Sequence, residues 1–391
     1  MPSPVEDRPG LLIRDPYHYS DVTLIVPPQL VPALACFDGE RTDLDLRQSL
    51  VAATGDFDVS DLQRHLIDTL SQSGFFQDEQ FARMQEERRR SFAQAAQRDP
   101  AHAGSAYPSA LEPLRETMGR YMNGGCAPID GLIGIAAPHV SPEGGWESYQ
   151  AAYGALGPAF RDRTFVILGT SHYGEPERFG LTRKPFVTPF GVTQIDTAAV
   201  DWLSSRAPAA VHMEDYCHAV EHSIEFQVVF LQHLFGPDIR ILPILCGPYA
   251  RSLYLGERPE DDEGVQAFLD ALGEFANREA QSVFWVLGID MTHIGRRYGD
   301  SFAARAEEAQ LLDVRARDRA RIERLAAGDC DGFWDLVQPG HDDLKWCGSS
   351  PLYTFLRAEP RARGELLRYQ QWNIDPQSVV SFAGIAFRRQ D

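Results

Sequence analysis

Three short apolar runs of this chain each lead directly into a segment that carries a histidine. Ile133-Gly134-Ile135-Ala136-Ala137 passes into Pro138-His139, and Phe165-Val166-Ile167-Leu168 into Gly169-Thr170-Ser171-His172. Phe284-Trp285-Val286-Leu287 passes into Gly288-Ile289-Asp290-Met291-Thr292-His293. Imidazole carries protons near neutral pH and is a common metal ligand. A single histidine past a strand end is more often structural. Three in the same relation point to one crevice, because ligands of open parallel sheets bind outside the carboxyl ends of the strands. The pattern therefore predicts a shared metal or acid/base site. Cys347, in the loop-like stretch Lys345-Trp346-Cys347-Gly348-Ser349-Ser350-Pro351, can complete it. A lone cysteine is usually a small buried hydrophobe. As a thiolate beside imidazoles it would turn the choice of metal away from magnesium and calcium, toward zinc, copper or iron.

The segment His218-Ala219-Val220-Glu221-His222 fits the H-x-x-E-H pattern of inverted zinc peptidases. On a helix, residues four apart share a face, so both imidazoles could hold one ion. A peptidase of that type needs a further acidic ligand downstream, and none stands out. The other reading is a polar first turn of a helix, with Glu221 and His222 orienting the metal ligands from behind.

The elements that must position these residues read as strands alternating with helices. Strands are expected at Leu132–Ala137, Phe165–Leu168, Ile239–Leu245, Val283–Leu287 and Val379–Phe387. Helices are expected at Trp146–Leu156, Ala198–Leu203, Glu221–Leu234, Val265–Glu274 and Phe302–Arg324. That alternation predicts an α/β fold, a mostly parallel sheet with helices on both faces.

The chain ahead of this part reads differently. Leu11-Leu12-Ile13 and Val22 to Val26 are short extended pieces, and a helix follows at Leu44–Ala53. Ser60 to Gln63 reads as a capping box opening a second helix with the apolar stripe Leu62, Leu66, Ile67 and Leu70. Gly74 stops it, Phe75-Phe76 begins a strand-like return, and Asp78 to Arg98 continues as a polar helix. Asp99 to Gly104 reads as a linker. The expected division is a small winged-helix-like α+β domain at 1–99, similar in layout to PqqD-type peptide-recognition domains, followed by the α/β domain at 100–391.

With 391 residues the chain suits two domains or one large one. Its formal net charge of −19 disfavours nucleic acid and anionic membrane as partners, since phosphate binding needs clustered Lys and Arg. Met1 to Gly10 has no apolar run of a signal peptide, and no stretch is long and apolar enough for a transmembrane helix. The six cysteines form no Cys-x-x-Cys pair and no evident disulfide framework, which suits a reducing cytoplasm.

From Ala103 to Phe387 the chain resembles the MEMO family, the second component named in AmmeMemoRadiSam systems. Ala103-Gly104-Ser105-Ala106-Tyr107-Pro108 is similar to the family's opening element, with Ala106 where the family has Trp. Pro138-His139, Gly169-Thr170-Ser171-His172, Thr188-Pro189-Phe190-Gly191, Glu221-His222-Ser223-Ile224-Glu225, Asp290 to Gly295 and Trp346-Cys347-Gly348 follow in family order. The loop after His139, Val140 to Glu147, departs from the family pattern and is more acidic. The resemblance implies a fold related to class III extradiol dioxygenases. It implies that His139, His172 and Cys347 bind iron or copper, with zinc a poorer fit. Asp290 and His293 would line the same pocket, with His293 as acid/base, and Glu221, His222 and Ser171 would support the ligands. A metal-dependent redox enzyme is one implied activity. The rival is a non-enzymatic module that binds a peptide or partner, such as a radical-SAM protein, and keeps a vestigial or regulatory metal.

Overall fold

The computed structural model describes residues 9–125 and 127–390. Met1 to Arg8, on which much of the signal-peptide reading rests, and Cys126 lie outside the described residues. The chain divides into two compact units, Met1–Gln94 and Ala95–Asp391.

In the first unit, strands Leu11–Arg14 and Thr23–Val26 form a two-stranded antiparallel sheet. A 3-10 segment at Pro28–Cys36 precedes helices Asp43–Thr54, Ser60–Gln72 and Glu79–Gln94. The capping box is not at Ser60. It is at Thr42, whose hydroxyl accepts from the Asp45 amide while the Asp45 carboxylate accepts from the Thr42 amide. Val59 caps the second helix without a side-chain bond, and Gln63 Nε2 donates to the Asp43 carbonyl instead. Leu66 and Leu70 are buried with Ala33, Leu46, Leu50 and Val59, and Leu62 and Ile67 pack against them. Phe75 and Phe76 join the same core from a bend, so no return strand forms there. The polar helix ends at Gln94, four residues short of Arg98.

The second unit is built on a ten-stranded sheet. Its centre runs Leu132–Ala137, Val283–Gly288, Thr164–Thr170 and Arg240–Cys246, all parallel. Antiparallel strands flank it: Ser378–Arg389 beside 132–137, and Phe179–Leu181 beside 240–246. The central runs are apolar throughout because both faces are covered. Side chains alternate between two cores. Val166, Leu168, Trp285 and Leu287 enter one, with helices Glu263–Arg278, Gln310–Ala326, Cys330–Val337 and Ser349–Ala358. Phe165, Ile167, Phe284 and Val286 enter the other, with helices Leu111–Met122, Pro142–Gly154 and Glu225–Phe235. The fold is therefore α/β, with a mostly parallel sheet between two helical layers, as the strand–helix alternation predicts.

Two expected elements differ, and one long strand was missed. Strand Ala362–Asp375 was not anticipated. It pairs with Ser378–Arg389 over its whole length, and its polar, half-buried residues hide the strand pattern. The helix expected at Phe302–Arg324 starts only at Gln310. The helix expected from Glu221 starts at Glu225, and a separate short turn spans Cys217–Val220.

Candidate metal centre

The parallel register sets Gly288 opposite both Ala137 and Gly169, so three neighbouring strands end level. His139, Asp290 and His172 follow those ends. Onto them lies the segment 221–224, which approaches too closely for side chains beneath it. A Cβ on Gly288 would stand 2.2 Å from the Ser223 carbonyl oxygen, and one on Gly169 2.5 Å from Ser223 Oγ. Glycine is required at both positions. Ser223 Oγ donates to the Thr170 carbonyl at 2.8 Å, closing the contact.

This brings His222 to the strand ends. Ligand atoms of His139, His172 and His222 all lie within 4.8 Å of one another, a group that could hold a metal ion. The rings of His172 and His222 stack, with centroids 5.0 Å apart, and His139 stands edge-on to both. Each Nδ1 faces an oxygen that serves as acceptor. That of His139 is 2.9 Å from the Gly288 carbonyl. That of His172 is 3.1 Å from both Glu221 oxygens, and that of His222 is 3.0 Å from Glu221 Oε1. Nδ1 therefore carries the proton in the neutral ring, and each Nε2 is left as a lone-pair donor. The donor set fits a metal that prefers nitrogen.

Cys347 adds a sulfur. Its Sγ lies 3.2 Å from His139 Nε2 and 3.6 Å from the Asp290 carbonyl oxygen. Tetrahedral ligands held at ~2.0–2.3 Å from an ion stand roughly 3.3–3.8 Å apart, so this approach is close to that of two ligands of one ion. Asp290 accepts from the backbone amides of His139 and Val140 at 3.0 and 3.2 Å, and its Oδ2 lies 3.7 Å from His139 Nε2.

Charge is organised around Glu221, which is buried and also accepts from the amides of His172, His222 and Ser223. Burial opposes its charge, but the two histidines outweigh burial and hold its carboxyl well below the usual range. Burial likewise opposes a charge on His172, yet Glu221 and Cys347 carry its pKa well above the ordinary value. Burial, with His172 and His222 facing it, drives His139 well below. Burial pushes Asp290 up to about 6 and the Cys347 thiol up, the latter partly offset by His172.

His293 stands apart from the three-histidine group. Its Nδ1 is 2.9 Å from the Met291 carbonyl and 3.0 Å from that of Lys345, its ring meets Tyr298 edge-on, and burial lowers its pKa to about 4. Ser171 donates its amide to the Cys246 carbonyl, and its buried hydroxyl bonds to no centre residue among those described. His218 is turned away, with Nε2 3.0 Å from the Gly180 carbonyl. Glu221 is extended, with ψ 138°, so His218 and His222 share no helix face and the peptidase arrangement does not form.

Sequence reading missed Arg98. Its buried guanidinium pairs with Glu225 and donates to the carbonyls of His218 and Glu221 at 2.8 and 2.9 Å, pinning the segment that carries His222. Tyr107 also donates to Glu225, and His102 meets His222 edge-on. A cavity of about 180 Å³ adjoins His172 and Cys347, walled by Tyr249, Leu253, Trp334 and Trp346.

Fold and site together define an α/β protein with a histidine-rich metal-type centre at the carboxyl ends of its parallel strands. The sequence profile described as Memo-like protein matches residues 98–386, and the chain belongs to that family. It is 26% identical over 380 residues to a MEMO1 family protein of Aquifex aeolicus, covering 96% of this chain and 95% of that one. A MEMO1 family protein of Methanosarcina barkeri is 25% identical over 294 residues, covering 74% of this chain and 98% of its own length. One from Thermus thermophilus is 32% identical over 197 residues, 50% of this chain and 53% of its own.

Proposed function

We propose that this chain is a metal-dependent redox protein that holds iron or copper through His139, His172 and Cys347, with His222 as a further ligand. The supporting observation is the convergence of three imidazoles, each with Nδ1 engaged by an oxygen, beside one thiol. Soft thiolate together with imidazole suits iron, copper or zinc. A bound redox ion would supply electron transfer and a Lewis-acid position. The residues around it hold and orient. Glu221 fixes the His172 and His222 rings, and Asp290 fixes the His139 backbone. His293, whose Nδ1 is engaged by the carbonyls of Met291 and Lys345, is read as the acid/base group beside the centre. The side chains of His172 and His222 remain 28% and 27% exposed, so the centre is open on their side. That openness favours a reacting centre over a closed structural one.

Such a protein would work in the cytoplasm, where reducing conditions keep Cys36, Cys217, Cys246, Cys330 and Cys347 as the free thiols they are here. The two-stranded sheet of the first unit suits strand addition by an extended peptide, so that unit is read as the recognition module for a peptide or a radical-SAM partner of an AmmeMemoRadiSam-type system.

The test is elemental analysis of protein purified under nitrogen without metal-affinity tags or chelators. Bound iron or copper is expected in the unsubstituted protein and little in His139→Ala, His172→Ala or Cys347→Ala. Full retention of metal by the two histidine variants would overturn the assignment.

A further inference from the structure

Two loops that meet at the centre, 289–293 and 342–348, are both tied to a carboxylate that takes no part in it. Asp318, on helix Gln310–Ala326, is fully buried. Its Oδ1 accepts from Thr292 Oγ1 at 2.6 Å and from Trp346 Nε1 at 2.7 Å. Its Oδ2 accepts from Tyr369 OH at 2.7 Å and Ser381 Oγ at 2.6 Å. Four donors fill both oxygens, as a carboxylate that only accepts requires. Thr292 sits between Asp290 and His293, and Trp346 immediately precedes Cys347. The same helix grips Trp346 a second time. Arg321 pairs with Asp342 at 2.7 Å, and Asp342 accepts the Trp346 backbone amide at 2.8 Å. At the near end the loops are joined by Gly348 N–H to the Asp290 carbonyl and His293 N–H to the Leu344 carbonyl, at 3.0 and 2.9 Å.

Burying a carboxylate without a cation is costly, and apolar packing could fill the same space. What the carboxylate adds is direction, because each oxygen lone pair fixes the angle of one donor. We propose that Asp318 is a positioning residue of the metal centre. It sets the spacing between the Asp290–His293 segment and the Cys347 loop, and through it the approach of Cys347 Sγ to His139. The proposal rests on reading Cys347 as part of the centre.

The test compares Asp318→Asn and Trp346→Phe with Tyr369→Phe in the full chain. The last removes a donor to the same carboxylate from a strand that carries no centre residue. Two readouts are taken. One is the alkylation rate of Cys347 by iodoacetamide in metal-free protein at fixed pH, followed by peptide mass spectrometry. The other is the cobalt(II) dissociation constant, read from thiolate-to-cobalt absorption. Asp318→Asn and Trp346→Phe are expected to speed alkylation and to weaken cobalt binding by about 10–100-fold. Tyr369→Phe is expected to leave both near the unsubstituted values while lowering the melting temperature. If Tyr369→Phe shifts both readouts as much as Trp346→Phe, or if none of the three shifts either, Asp318 is only a staple of the core and the proposal fails. Should Asp318→Asn not fold, the comparison of Trp346→Phe with Tyr369→Phe still decides. If the unsubstituted protein binds no cobalt, it is the metal reading that falls, and alkylation still judges Asp318.

Discussion

Glu221 is the residue on which the electrostatics of the centre turn, since one buried carboxylate engages the Nδ1 atoms of both His172 and His222. Glu221→Gln keeps the shape but turns an amide N–H toward a donor and removes the charge. Metal affinity should fall by about 10–100-fold with the fold intact by circular dichroism. Unchanged affinity would remove Glu221 from the account. The shifted groups also give a sign for the pH dependence. In metal-free protein His172 has its pKa raised by Glu221 against burial, and burial raises that of the Cys347 thiol, so near neutral pH both carry protons. An ion must displace them, so binding should release protons and strengthen as pH rises. Calorimetric titration with metal in two buffers of different ionisation enthalpy checks this. Equal heats in the two buffers would show that no proton leaves.

At the scale of elements, the strand ends were legible because apolar runs followed by His139, His172 and Asp290 need only a parallel register to meet. The H-x-x-E-H segment was legible as important but not as geometry. Its periodicity suits a helix, yet the pairing of Arg98 with Glu225 and the carbonyls of His218 and Glu221 holds the chain extended there. Nothing in the local sequence announces this, because Arg98 follows a charged helix and reads as its solvated end. The capping box at Ser60 failed for a similar reason: Gln63 found a partner on the neighbouring helix. Two substitutions test these contacts. Arg98→Met leaves Glu225 buried without its cation and should cost about 3–5 kcal/mol in denaturant unfolding. Gly288→Ala drives a methyl into the Ser223 carbonyl and should cost about 1–3 kcal/mol while displacing His222 and weakening metal binding. Gly288→Ala protein with full stability would mean that the Ser223 carbonyl does not press on Gly288.

At the scale of the molecule, the Aquifex relative aligns over 380 residues, more than the second unit alone can supply, so the likeness reaches into the first unit. The first unit has its own core of Ala33, Leu46, Leu50, Val59, Leu66 and Leu70. A fragment of residues 95–391 should therefore stay soluble and bind metal like the full chain, while a fragment of 100–391, lacking Arg98, should melt lower and bind metal less tightly. Gel filtration, thermal melts and metal analysis of the two fragments make the comparison. Equal behaviour of both would dismiss Arg98 as an anchor, and aggregation of 95–391 would show that the first unit is needed for the second to fold.

The anchor at Arg98 has a consequence for how the protein is made. A ribosome delivers the chain from its amino end, and the parts of the centre are spread along nearly the whole second unit, from Arg98 through His139, His172 and Glu221 to Cys347. Until the loop bearing Cys347 has emerged, the nascent chain exposes imidazoles with no sulfur beside them, and Asp318 has no Trp346 to hold. On that reading of the centre, an ion would be loaded late in biosynthesis. A chain interrupted before residue 347 would carry every histidine of the centre and lack its thiol.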